Sequence, residues 1–175
     1  MLTPDLSTGA LLDGAGQPVE AQYALVDVST SVLGEVVASD AARGMQVVRV
    51  DGPLGLATLV TGIQPDGWTG PSASWTRYGC TGGTLTILLQ SDQGLHANEP
   101  VTVVATTSAG ETAQAVVQPT DVGVPLNVPL APVDGRCDVG LAVSPTAIPA
   151  ERIGGGDTRE LGIKITALTY EPPAP

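Results

Sequence analysis

Apolar and polar residues alternate with period two along most of this chain. In Thr84–Gln90, Leu85, Ile87 and Leu89 fall on one side, with Thr84, Thr86 and Gln90 on the other. In Leu161–Tyr170, an apolar side of Leu161, Ile163, Ile165 and Ala167 opposes Gly162, Lys164 and Thr166. A strand with one buried face requires this pattern, because successive side chains point to opposite faces of a sheet. The same reading predicts strands over Tyr23–Val28, Gly34–Ala38, Met45–Val50, Leu54–Ile63, Ser74–Cys80, Val101–Thr107, Thr112–Gln118, Val124–Leu130 and Arg136–Ser144, and extends the last strand to Glu171. Helical periodicity is weak throughout, and Ser39–Arg43 reads as a single short turn. Turn signals separate the strands: Asp51-Gly52-Pro53, Pro65-Asp66-Gly67, Gly82-Gly83, Ala109-Gly110, Asp134-Gly135 and Gly154-Gly155-Gly156. Each supplies a residue that tolerates positive φ or one whose φ is fixed. About eleven short strands without intervening amphipathic helices predict an all-β fold, a two-sheet antiparallel β-sandwich of jelly-roll type. Residues 20–171 form the expected domain, 1–19 a lead-in, and 172–175 a stiff Pro-rich exit that suits attachment to something larger.

Composition narrows the possible partners. The 175 residues suit one ordinary domain, and 22 Gly with 15 Pro agree with many turns and few long helices. A net charge of −11, from 7 Lys and Arg against 18 Asp and Glu, repels phosphate backbones and anionic head groups. Neither nucleic acid nor a lipid surface is therefore an expected partner. No apolar run reaches the length of a membrane span, so direct membrane insertion is not expected. Charged residues make up only 14% of the chain, below the usual quarter, and Lys164 is the sole lysine. Cys80 and Cys137 lie 57 positions apart with no CxxC pattern near either, which excludes a four-cysteine zinc site and a redox motif. An even count fits one disulfide in an extracytoplasmic setting. Closing that loop would stabilise the fold by about 4 kcal/mol in the chain-entropy treatment.

The residues able to do chemistry are few. Histidine occurs once, at His96, in the polar run Ser91-Asp92-Gln93-Gly94-Leu95-His96. With no GxSxG elbow nearby it reads as a solvent-exposed loop residue, not as part of a Ser-His-Asp triad. Gly154-Gly155-Gly156 lacks the GK[ST] that completes a phosphate-binding loop. Asp66, Asp92, Asp121, Asp134 and Asp157 offer loop oxygens to a structural calcium, though no DxDxDG run orders them; no other cofactor is expected. Nothing marks a glycosidase-type carboxylate pair, so no catalytic residue is assigned.

The aromatics carry more information. There are two tryptophans, three tyrosines and no phenylalanine, and Trp68, Trp75 and Tyr78 all fall inside Gly67–Tyr78. Sugar rings stack an apolar C–H face on Trp or Tyr while Asp, Asn or Arg alongside bind the hydroxyls. Asp66 and Arg77 are the polar groups at hand. If Cys80 faces inward to meet Cys137, strand parity puts Tyr78, Thr76 and Ser74 inward. Trp75 and Arg77 then face out, as a saccharide platform or a cation–π pair. Trp75, Arg77, Trp68, Asp66 and Tyr78 are thus the candidate ligand-binding residues; the alternative is that the indoles plug the ends of the sandwich. Asp157-Thr158-Arg159-Glu160-Leu161-Gly162 reads as a structural clasp, with Asp157 accepting backbone N–H groups and Arg159 pinning a neighbouring loop through its planar fork.

Three strings resemble segments of actinobacterial cell-envelope proteins: Gly62-Ile63-Gln64-Pro65-Asp66-Gly67-Trp68-Thr69-Gly70-Pro71, Tyr78-Gly79-Cys80-Thr81-Gly82-Gly83-Thr84-Leu85, and Asp157-Thr158-Arg159-Glu160-Leu161-Gly162-Ile163. From about Tyr23 to Tyr170 the chain is similar to extracytoplasmic β-sandwich domains on the C-terminal side of polytopic membrane glycosyltransferases. The resemblance implies a carbohydrate-binding-module-like domain of the cell envelope, without catalysis of its own. It would bind cell-wall polysaccharide, or present it to a membrane-embedded glycosyltransferase portion or subunit. The resemblance transfers no binding residue, and no membrane span or transferase motif lies within this chain. Two further readings compete. One is a structural or protein-interaction sandwich on a membrane enzyme or neighbouring subunit, with Trp75 in the interface. The other is an envelope glycan hydrolase with two facing acids, one of raised pKa.

Overall fold

A computed structural model describes residues 2–27, 31–40 and 42–174. Val28, Ala41 and Pro175, which belong to the expected first strand, the expected turn and the exit, lie outside the described residues. The fold is all-β, 55% strand and 5% helix. No helix among the described residues is long and apolar enough to cross a membrane. The chain gathers into two compact units, Met1–Leu59 with Arg77–Gly79, and Val60–Thr76 with Cys80–Pro175. Residues 20–171, read above as one domain, are distributed over both.

In the smaller unit, β1 (Thr3–Pro4) and β2 (Leu11–Leu12) pair as a short ribbon, so the segment expected as a lead-in has structure of its own. β3 (Tyr23–Asp27), β4 (Ser31–Val32), β5 (Glu35–Asp40) and β6 (Met45–Arg49) follow. Three of them form an antiparallel sheet in the order β3-β6-β5. β4 pairs with the start of β7 (Leu56–Ile63). Ala24, Val32, Val48, Val50, Leu54, Leu56 and Tyr78 make the core of this unit. The expected turn at Ser39–Arg43 is overridden at its start, because Ser39 and Asp40 extend β5 against Gln46 and Met45.

The larger unit is a two-layer β-sandwich. Its elements are β8 (Thr69–Tyr78, which enters the smaller unit at Arg77), β9 (Gly83–Gln90), α1 (Gln93–His96), β10 (Val101–Thr107), β11 (Thr112–Val117), β12 (Val124–Leu130), β13 (Arg136–Ser144), α2 (Pro149–Arg152) and β14 (Lys164–Glu171). One layer runs β11-β10-β13-β8-β7 and the other β12-β9-β14. Leu85, Ile87 and Leu89 are fully buried, and Leu126 and Val128 pair across from Ile87 and Leu85. They pack with Val101, Val103, Val139 and Leu141 of the facing layer in one continuous core, the arrangement that two sheets with apolar inner faces require. Cys80 and Cys137 are disulfide-bonded with their Cα atoms 5.7 Å apart, as the even cysteine count led us to expect.

Two expectations about which way side chains point are corrected. Trp75 is not outward: it is 3% exposed and belongs to the sandwich core. The parity argument ran back from Cys80, but β8 ends at Tyr78 and Gly79 takes a positive φ of 62°, so alternation does not carry through to the cysteine. Along β8 the buried positions are Thr69, Ala73, Trp75 and Tyr78. The count slips after Trp75 because Tyr78 serves the core of the smaller unit. In β14 a bulge between Ile165 and Ala167 passes the inward face to Leu168 and Tyr170, which pair with Ile87 and Leu85. Ala167, expected on the apolar side with Ile165, is therefore off it. The Tyr170 ring meets Trp75 with centroids 6.0 Å apart.

A candidate binding groove at an arginine clasp

The larger unit carries a groove of about 470 Å³, within the roughly 300–1,000 Å³ typical of small-molecule sites. Three stretches distant in sequence line it: Asp66 and Trp68, Asp92 and Leu95, and the run from Pro149 through Ile153 and the three glycines to Asp157, Arg159 and Leu161.

The clasp organises one wall. Arg159 Nε donates to both oxygens of Asp157 at 3.0 and 3.2 Å, and Nη2 donates to Asp157 Oδ2 at 2.7 Å. The same Nη2 reaches Asp66 Oδ2 at 2.8 Å. A planar fork matches this two-sided demand and an ammonium does not. The guanidinium holds the Asp157 carboxyl well below the usual carboxylate range, at about 2, and lowers Asp66 as well. Arg159 in turn is held in its charged form by both carboxylates, Asp157 first.

Residues after the clasp fix it to the sandwich. Leu161 and Ala147 exchange both backbone hydrogen bonds at 2.8 Å. The Gly162 amide donates to Thr69 O, and Thr69 Oγ1 accepts from the Ile163 amide. Trp68 is bound in by the same segment: the Ile165 amide donates to Gly67 O, and the Thr69 amide to Ile163 O. Its indole packs on a small buried cluster of Leu95, Ala147 and Leu161 while staying partly exposed at the groove.

A second part of the lining comes from two one-turn helices. Asp92 caps α1, its Oδ1 accepting from the Leu95 amide at 2.9 Å. That turn buries His96 to 4% exposure, and Nε2 lies 2.7 Å from Gly162 O. His96 is thus no solvent-exposed loop residue. Burial lowers its pKa, against the opposing pull of the Gly162 carbonyl and Asp92. Pro149 opens α2 at its first turn, and Ile153–Gly156 leave it as a bare loop.

Of the sequence candidates, Trp68, Asp66, Asp157 and Arg159 come together here, so the clasp and the aromatic segment are one site. Trp75 and Tyr78 are buried in cores, and Arg77 donates to Thr58 Oγ1 at 3.1 Å in the smaller unit; none of the three lines the groove. Sequence reasoning missed Leu95, Pro149 and Ile153, and met the glycine triplet only as a failed phosphate loop. A capping aspartate followed three residues later by an apolar residue was the available signal for α1. Four of the five loop aspartates weighed for calcium have other partners: Asp66 and Asp157 pair with Arg159, Asp92 caps its helix, and Asp121 accepts from the Gln118 amide. Among the described residues no group of three or more His, Cys, Asp or Glu side chains is placed to hold a metal ion.

Comparison with models of known protein families finds no match for the chain, and comparison with curated proteins finds none.

Proposed function

We propose that this chain is a non-catalytic carbohydrate-binding-like domain of the cell envelope, associated with a membrane glycosyltransferase, that binds or presents cell-wall polysaccharide at the Trp68 groove. One observation carries the reading: the partly exposed indole of Trp68 lies in the same groove as the carboxylates of Asp66 and Asp157 and the guanidinium of Arg159. An apolar ring face beside rigidly held planar polar groups is what a sugar demands, with its C–H face on the indole and its hydroxyls on the polar groups. Outside the cytoplasm the Cys80–Cys137 bond persists, which fits the envelope setting. Absence of catalysis is supported by the carboxyls themselves. Both Asp66 and Asp157 are pushed down by Arg159, whereas a glycosidase acid needs a raised pKa.

Titration of tryptophan fluorescence with arabinan, mannan and galactan fragments tests this. Trp75 is enclosed and gives a constant background, so the response reports Trp68. Binding at millimolar concentration or tighter is expected, and Trp68→Ala weakens it by about tenfold or more through loss of the stacking face. If no fragment changes the emission or releases heat, the reading fails.

A structural or protein-interaction role is the second reading, and a specific observation favours it. In the smaller unit Tyr23 is 58% exposed and Leu25 69% exposed on a three-stranded sheet. Apolar side chains left open together mark interaction surfaces.

A further inference from the structure

We infer that the groove selects uncharged saccharides and turns away acidic ones. This rests on the glycan-binding reading above and adds the ligand class to it. The argument starts from what Arg159 has left to offer. Nε and Nη2 are committed to Asp157 and Asp66, and of the three guanidinium nitrogens Nη1 alone makes no hydrogen bond to a described residue. A uronate or sulfate ester seeks a bidentate fork, and this one is already filled by two carboxylates. What remains is a donor at Nη1 beside acceptor oxygens on Asp66 and Asp157, the complement of a hydroxyl pair that accepts once and donates once.

The wider charge of the groove acts in the same direction. Among the residues that line the groove, Asp66, Asp92 and Asp157 outnumber the one cation, Arg159, with Lys164 and Arg152 just outside the lining, so an anionic sugar enters against the excess of carboxylates in a chain of charge −11.

The glycine wall adds a size condition. A Cβ placed on Gly154, Gly155 or Gly156 would meet nothing within 4 Å. Packing therefore does not demand these glycines. Gly154 and Gly155 take φ of +77° and +99°, which suits glycine, but Gly156 does not have a positive φ. A bare Gly156 leaves this side of the groove open for a ring, and a side chain there can narrow the groove without straining the backbone.

The test compares neutral arabinan and galactan fragments with oligogalacturonate of equal length, by calorimetry on the whole chain. At low salt the neutral ligands are expected to bind about tenfold tighter or more. The gap should close on adding salt, and also in Asp66→Asn, which removes one charge and keeps the shape. Gly156→Val should weaken the neutral ligands while the denaturation midpoint stays in place. Oligogalacturonate binding as tightly as the neutral fragments at low salt overturns the inference and leaves glycan binding intact. So does a gap that ignores both salt and Asp66→Asn, because selection would then be steric. Binding of neither class removes the underlying reading together with this one.

Discussion

Gly162 is fixed by space and not by backbone conformation. A Cβ there would sit 2.6 Å from Gly70 O, 2.7 Å from Val143 Cγ1 and 2.9 Å from Thr69 Oγ1. The carbonyl is backbone and cannot step aside as a flexible side chain would. The same residue donates to Thr69 O and receives His96 Nε2 on its own carbonyl, so shifting it disturbs both parts of the groove's lining. Gly162→Ala should therefore destabilise the sandwich by about 2–3 kcal/mol, near the upper end for overpacking. Denaturant unfolding followed by tryptophan emission measures it, and a loss under half a kilocalorie would show that the close approach relaxes freely. Asp157 offers a second check at this scale. Its folded pKa of about 2 lies below the ordinary 3.8, so the carboxylate favours folding above pH 3.8 and that contribution is lost as pH falls toward 2. Carboxyl NMR should place Asp157 near 2 in the wild-type chain and back toward 3.8 in Arg159→Ala.

β10, β12 and β13 were legible to the residue, because each is a clean alternation with one face in the core. β14 was legible only in part. Period two holds as far as Ile165; beyond it the bulge hands the core face to Leu168 and Tyr170, and a pattern in sequence carries no mark of an inserted residue. A deletion pair tests this account. Removing Thr166 takes out the unpaired residue and leaves Ala167, Leu168 and Tyr170 facing Leu88, Ile87 and Leu85. Removing Thr169 instead turns Tyr170 outward and breaks its contact with Trp75. The first deletion should cost about 1 kcal/mol or less, and the second about 3 kcal/mol through the aromatic lost from the core. Equal losses in thermal unfolding would contradict the bulge. The one-turn helices α1 and α2 escaped the reading of periodicity for a simpler reason: four residues each cannot display a helical period. The candidate site followed suit. Its chemistry was present in Trp68, Asp66, Asp157 and Arg159, but its shape depends on these two helices and on contacts between segments far apart in sequence.

For the whole molecule, a single histidine makes the pH dependence of stability unusually easy to assign. Among the groups with resolved shifts, only His96 has an ordinary value, 6.5, in the mildly acidic range; the shifted carboxyls titrate below 4. Burial at the end of α1 opposes the charged imidazole more than the Gly162 carbonyl, Asp92 and Glu99 favour it, and Arg152 adds to the opposition. The folded pKa therefore lies below 6.5, and the unfolded chain takes up the proton first as pH falls. His96 then contributes full stability above pH 6.5, and that contribution drains away between 6.5 and its lowered folded value. One group sets a ceiling of about 1.4 kcal/mol lost per pH unit. Urea midpoints measured from pH 8 down to pH 5 should fall below about 6.5, whereas His96→Gln should hold a flat profile over the same range. Stability that instead rises as the wild-type chain is acidified would mean that the imidazolium is better solvated inside the fold than outside. In that case the bond to Gly162 would be strengthened by the proton, and the wall of the groove that it holds would tighten in acid.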